Sequence, residues 1–178
     1  MEYNDRHRHL VEDCKKGVRK AQFELYRLYA KAMFNICLRM VKNEADAEDI
    51  LQNSFIDVFT KIDTFRFESS VGAWIKRIVV NNCINFLKKR RIIFEEIDEK
   101  VAEREDTRPV EEAKLSVGTV KEALFRLPDG YRVVFSLYQM EGYDHGEIAE
   151  ILNISEQTSK SQYSRAKKKL RELLKMMS

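Results

Sequence analysis

Gln157, Lys160, Ser161, Ser164 and Lys168 recur at the spacing of one helical face, with Thr158 and Arg165 beside them. Short polar side chains near the start of such a face, and basic ones further along, suit a helix inserted N-terminus first into the major groove. The small groups reach base edges and the cations hold phosphates. A second set, Arg77, Asn81, Asn85 and Lys88, falls on one face of another predicted helix and runs on into Lys89, Arg90 and Arg91. It follows the loop DTFRFESS, which carries Phe67, Glu68 and Ser69. Amides that read base edges, cations that hold phosphates and an aromatic loop that can cup an extruded base suit single-stranded or melted DNA. A third set has the opposite sign: Asp46, Asp49, Gln52, Asn53 and Asp57 make a compact acidic and amide surface. Such a surface repels nucleic acid and attracts a basic protein face. Each set also has a plainer reading. A solvated helix face, or basic residues answering the macrodipole at a helix C-terminus, accounts for charge alone.

Other chemistry finds little to work with. The sequence has no Gly-rich phosphate loop after a strand, no zinc-spaced Cys/His set and no nucleophile–base pairing, so catalysis, a metal and a cofactor are not expected. His7 and His9 lack supporting ligands and read as part of a mobile polar tail; His145 reads as surface. Cys14, Cys37 and Cys83 are odd in number and far apart, which fits reduced thiols in a cytosol, with Cys37 and Cys83 buried. No apolar run approaches the ~20 residues that span a bilayer, and MEYNDRHRHL has no apolar signal core. A cytoplasmic protein without membrane insertion is the expectation. With a net charge of only +3 among 178 residues, where charge sits matters more than its total.

The elements that must position these sets are all helices. Two prolines and six glycines in a chain rich in charge argue against a many-turned sheet protein. From about Lys20 to Val41, Ala21, Leu25, Leu28, Ala32, Ile36 and Met40 form one apolar stripe, and Phe23, Tyr26, Ala30, Met33, Cys37 and Val41 form another. A helix apolar on two sides is wedged among neighbours, as the spine of a bundle. Asn43 caps the next helix, from Glu44 to about Ile62, with Ala47, Leu51, Ser54, Val58 and Ile62 inward. After the loop, Val71, Trp74, Ile75, Ile78 and Val79 resume a stripe through Cys83, Phe86 and Leu87, with Trp74 read as core. Residues 92–112 are predominantly acidic and read as a linker. Pro109 can open the following helix, in which Ala113, Val117, Val120, Leu124 and Leu127 form the inner stripe. Pro128-Asp129-Gly130 turns the chain, and Val133, Val134, Leu137 and Tyr138 build a helix that ends at Gly142. Asp144 and Glu147 form a capping box, Asn153 ends that helix, Ile154 plugs the corner and Ser155 caps the last one. On the last helix Ser159, Tyr163, Ala166, Leu170 and Leu173 face inward. The expected architecture is all-α: a helical domain over 1–91, the linker, and a four-helix domain over 113–178 closing in a helix-turn-helix.

The run EIAEILNISEQTSKSQYSRAKKKL resembles the promoter-reading C-terminal module of the extracytoplasmic-function sigma factors of bacterial RNA polymerase, at Glu147-Ile148-Ala149, Ile154-Ser155, Thr158, Lys160-Ser161 and Arg165-Ala166. Gln157, Ser159 and Gln162 depart from it, standing where glycine, valine and arginine are common. Ser159 weakens the expected core contact and Gln162 removes a phosphate contact. DAEDILQ followed by Phe55 is similar to the segment of the same family that docks on the clamp of the polymerase's largest subunit, which implies Asp46, Asp49, Gln52 and Asn53 as contacts. Asn53 stands where glutamate is usual. FESSVGAWIKRIVVNNCINFLKKRR is similar to the −10-reading segment, whose loop cups an extruded base of the non-template strand. By that likeness Asn81 helps to hold the base; Asn85 takes a position often held by aspartate. LP-x-G-Y-R-x-V-F is similar to the family as well. The resemblance therefore implies a sigma factor that binds core RNA polymerase, reads −35 and −10 promoter elements, has promoter DNA as ligand and has an anti-sigma factor as a further possible partner. Two other classes stand beside it. A one-component repressor or response-regulator output would share the helix-turn-helix but leave DAEDILQ unexplained. A helical interaction module would explain the acidic surface but not the basic face of the last helix.

Overall fold

Helix α2 (Arg19–Val41) carries the N-terminal half: α1 (Arg8–Lys15), α3 (Glu44–Lys61) and α4 (Val71–Lys89) all pack against it. The computed structural model describes residues 7–90 and 116–177; the acidic stretch 92–112, Arg91, Pro109 and Ala113 lie outside them. The chain divides into two units, Met1–Arg91 and Ile92–Ser178, and each has its own core. In the first, Leu25, Ile36, Cys37 and Met40 of α2 meet Ala47, Leu51, Phe55 and Val58 of α3 and Val71, Ile75, Val79 and Cys83 of α4, all buried. Burying each large aliphatic side chain stabilises the fold by about 1.5–3 kcal/mol, so the bundle rests on this layer. Lys42, in the left-handed region, closes α2, and Asn43 accepts the Asp46 N–H to start α3. Ser70 does the same for α4 through the Ala73 N–H. Gly72 lets the Tyr29 ring come so close that a Cβ there would lie 2.8 Å from it.

The N-terminal segment is not all tail. From Arg8 it is helical, buries Val11 and Cys14, and His7 Nδ1 lies 3.0 Å from the Tyr29 hydroxyl. One i, i+3 pair of apolar side chains in a charged segment is too brief a period to stand out in the sequence. Burial, with Asp13 adding to it, pushes the Cys14 thiol up to about 11. Cys37 and Cys83 are buried as expected, and the thiol–thiol hydrogen bond between them, before burial itself, raises Cys83 well above the ordinary range. The two-sided burial of α2 is only partly realised. Phe23 and Leu28 are exposed, because the neighbours of α2 cover one broad side of it.

In the second unit α5 (Val117–Arg126), α6 (Asp129–Phe135) with a π-helical turn over Ser136–Met140, α7 (His145–Leu152) and α8 (Glu156–Met177) follow one another. Ala123, Leu124 and Leu127 pack on Ala166 and Leu170, with Tyr131, Phe135 and Leu173 around them. The inner stripe expected of α5 is thus half right. Val117 and Val120 sit in the first turn, ahead of the stretch that α8 covers, and are exposed. Arg132 is buried, a position that composition disguises. Its guanidinium pairs with Asp129 at 2.7 Å and donates to the Leu127 carbonyl at 3.1 Å, locking the turn between α5 and α6. Burial lowers its pKa and Asp129 opposes that shift.

Candidate nucleic-acid interface

The helix-turn-helix is built by its caps. Asp144 accepts the Glu147 N–H at 2.8 Å while Glu147 accepts the Asp144 N–H at 2.9 Å, the reciprocal box that starts α7. Asn153, at φ 57°, ends it, and the Ile154 N–H bonds back to the Ala149 carbonyl. Ser155 accepts the Thr158 N–H at 2.9 Å and its hydroxyl lies 2.8 Å from that of Thr158. Thr158 is therefore half-buried and occupied by the cap. Gln157, Lys160 and Lys168 are exposed, and Ser161, Ser164 and Arg165 are half-exposed, on the side of α8 away from its core. The exposed Arg171 extends that face by one turn and was missed in the sequence, where it looks like part of a generic charged tail. Lys160 rests 2.6 Å from Glu156, an exposed i, i+4 pair of the kind worth only a few tenths of a kcal/mol and readily exchanged for a phosphate.

Two positions on α8 differ from expectation. Ser159 is not a weak point in the core: it is fully buried, and its hydroxyl lies 2.9 Å from His145 Nδ1. His145 is accordingly not a free surface residue. Its ring stacks on Tyr138, with centroids 4.4 Å apart, and meets Tyr163 edge-on. Tyr163 in turn donates to Gln139 at 2.7 Å. A buried hydroxyl needs a partner, and the imidazole supplies it where an apolar side chain would have needed none. Gln162 is buried too, so that position points into the fold rather than at a phosphate.

In the first unit Arg77, Asn81, Asn85 and Lys88 are all exposed and share one face of α4. Trp74, on the same side, is only half-buried, its ring 5.2 Å from that of Phe65. Asn82, unmarked in the sequence beside an identical neighbour, turns inward. Its amide donates to Ser54 Oγ at 3.1 Å and Asp57 Oδ2 at 2.9 Å, tying α4 to α3. In the preceding loop Phe65 is buried, Phe67 is half-buried at φ 59°, and Glu68 and Ser69 are exposed.

The acidic set is smaller than it looked. Asp49, Gln52 and Asn53 are exposed on the outer face of α3, but Asp46 is half-buried and ion-paired with Arg90 at 3.0 Å, and Asp57 is engaged by Asn82. Arg90, stacked over Phe86, is correspondingly turned towards α3 and away from the row of cations expected to hold phosphates. The outer face gains an apolar centre instead. Ile56, one turn beyond Gln52 and Asn53, is 63% exposed. Its place opposite Ala47, Leu51 and Val58 was legible in the periodicity. Among the described residues no group of His, Cys, Asp and Glu could hold a metal ion, and no helix is long and apolar enough to cross a membrane.

Known proteins share these two units in this order. Residues 25–92 match sigma-70 region 2 and residues 118–170 match sigma-70 region 4. The ECF RNA polymerase sigma factor SigW of Bacillus subtilis is 30% identical, with 93% of this chain and 95% of SigW covered. SigM of Mycobacterium tuberculosis is 30% identical, over 89% of this chain and 79% of its own length. Among solved structures, the sigma factor RpoE in complex with the anti-sigma factor NepR from Bartonella quintana superposes with a TM-score of 0.58 at 26% identity, covering 85% of this chain and 95% of RpoE. With both regions matched and relatives aligned along nearly its whole length, the chain belongs to the extracytoplasmic-function sigma factors of bacterial RNA polymerase.

Proposed function

We propose that this sigma factor docks on core RNA polymerase through the outer face of α3, reads the melted −10 strand through α4 and the loop before it, and reads the −35 duplex through α8. The observation that carries this division is the separation of sign within one bundle. Asp49, Gln52 and Asn53 lie exposed on α3, while Arg77, Asn81, Asn85 and Lys88 lie exposed on α4, although the two helices pack on each other. The acidic face suits a basic protein partner and excludes DNA; the amide and basic face does the reverse. Residues 92–112 join the two readers. The protein acts in the cytoplasm, by binding rather than by catalysis, and the NepR complex of RpoE motivates an anti-sigma factor as a regulator of this chain as well.

The α3 assignment is tested by Asp49→Lys combined with Gln52→Ala. Losing a charge that is desolvated and hydrogen-bonded at an interface costs about 2–5 kcal/mol, so affinity for core polymerase should fall at least tenfold while the thermal melting curve is unchanged. Co-migration with core enzyme at wild-type affinity would remove α3 from the interface.

A further inference from the structure

The loop before α4 is gripped by a helix outside the matched region 25–92. Lys15, at the end of α1, donates to the Phe65 carbonyl at 2.7 Å. Its Nζ also lies over the Phe67 ring, 5.1 Å from the centroid, and Arg8 Cζ lies over the same ring at 4.7 Å. Phe67 packs on Phe65 at 4.9 Å, and Phe65 packs on Trp74 in the first turn of α4. An unbroken set of contacts thus runs from α1 through two loop aromatics to the helix that carries Asn81. The backbone at its centre is unusual. Phe67 sits at φ 59°, a left-handed conformation that glycine adopts freely and a phenylalanine holds only when its surroundings impose it. The two cations and Phe65 are those surroundings. Glu68 and Ser69 follow directly and are exposed, so their direction depends on how Phe67 is held.

We propose that Arg8 and Lys15 are positioning residues for base reading: they clamp the Phe67 ring and the Phe65 carbonyl, and so fix the loop in the shape that presents residues 67–69 to an unpaired base. This rests on the assignment of those residues to the −10 strand. A cation–π contact on a partly exposed ring is modest in strength, yet here it holds a strained backbone whose displacement by an ångström would move a base pocket out of register.

The test uses holoenzyme assembled from the full chain and core polymerase, with duplex DNA carrying a short melted bubble whose non-template bases are randomised. Bound DNA is sequenced and the base preference at each position is measured. Lys15→Met keeps the aliphatic stem and removes the cation and its hydrogen bonds. It should flatten the preference at one or two bubble positions by about three- to fivefold, the size of a lost exposed cation–π contact, with core affinity and melting curve unchanged. Lys15→Arg restores a cation and donors and should restore the preference, which a merely structural lesion would not show. Arg8→Met should flatten the same positions. Wild-type preferences in both methionine variants overturn the clamp, as does a flattening that appears only with weakened core binding or a lower melting point. Glu68→Ala and Ser69→Ala separate the two levels. If they change the preferences and the methionine variants do not, only the clamp falls. If they leave every preference intact, the loop is not the reader and both readings fall.

Discussion

Asn81 carries its amide into solvent on α4, one residue from Asn82, whose amide is engaged by Ser54 and Asp57. The two side chains are chemically identical, and the ~100° turn between neighbours on a helix gives them different surroundings. Under the proposed −10 role, Asn81→Ala removes a group that acts only once a strand is unpaired. It should slow open-complex formation on duplex promoter by about tenfold, the worth of one or two hydrogen bonds, and affect a pre-melted template less. Permanganate footprinting on the duplex and equilibrium binding to the bubble measure the two. Equal losses on both templates would make Asn81 structural. The same replacement at Asn82 removes the amide that joins α4 to Ser54 and Asp57 of α3, and belongs with stability rather than with DNA.

At the scale of elements, the join between α7 and α8 includes a polar contact beside the buried Ile148 and Leu152. His145 at the start of α7 reaches Ser159 in α8, under the rings of Tyr138 and Tyr163. Burial, then the positive charge of Lys160, lowers the His145 pKa from its ordinary value; Lys167 acts in the same direction, and Glu156 and Asp144 oppose it. The folded unit therefore binds a proton less readily than the unfolded chain. Above the ordinary histidine range both states are neutral and nothing is lost. As pH falls through that range the unfolded state takes up the proton first, and stability declines until the folded-state pKa is also passed. The melting temperature of the second unit should therefore drop between pH 7.5 and 5.5, and drop less in His145→Gln. Parallel declines in the two proteins would show that carboxylates elsewhere, and not this imidazole, carry the effect.

For the whole molecule, one recognition helix offers two or three base contacts, each discriminating by about 1–3 kcal/mol. That is too little against a genome of competing sites, so two weak readers must act together. The stretch between them, residues 92–112, is acidic in sequence and unsuited to lying on DNA. The free chain should bind a mapped promoter duplex weakly, with preference over random DNA below about tenfold, and core polymerase should raise that preference sharply. Electrophoretic shifts with and without core enzyme decide it. Tight, sequence-specific binding by the isolated chain would mean that the polymerase is not needed for promoter selection. Within the complex, replacing Arg165 by alanine should make the salt dependence shallower by about one unit if it meets a phosphate, and leave it unchanged if it meets a base.

Local rules were enough for much of this. Caps act within three residues, so Asn43, Asp144 with Glu147, and Ser155 start the helices at or near the positions their side chains announce. Periodicity needs only one helix, so the inward row Ala47–Leu51–Ser54–Val58–Ile62 could be read directly, as could the row Ser159–Tyr163–Ala166–Leu170–Leu173, of which Tyr163 and Leu173 are half-buried, and with them the exposed faces of α4 and α8. What required the tertiary structure is every contact between elements. No spacing along the chain says that Asp46 is held by Arg90, that Asp57 is held by Asn82, or that Ser159 and His145 satisfy each other. The same holds for α1, whose few apolar residues are too weak a period to declare a helix until a bundle buries Val11 and Cys14. Helix formation follows neighbours in sequence, whereas the pairing of a buried polar group depends on which helix lies across from it. That is why the faces could be read from the chain, and why the residues that fix their shape could not.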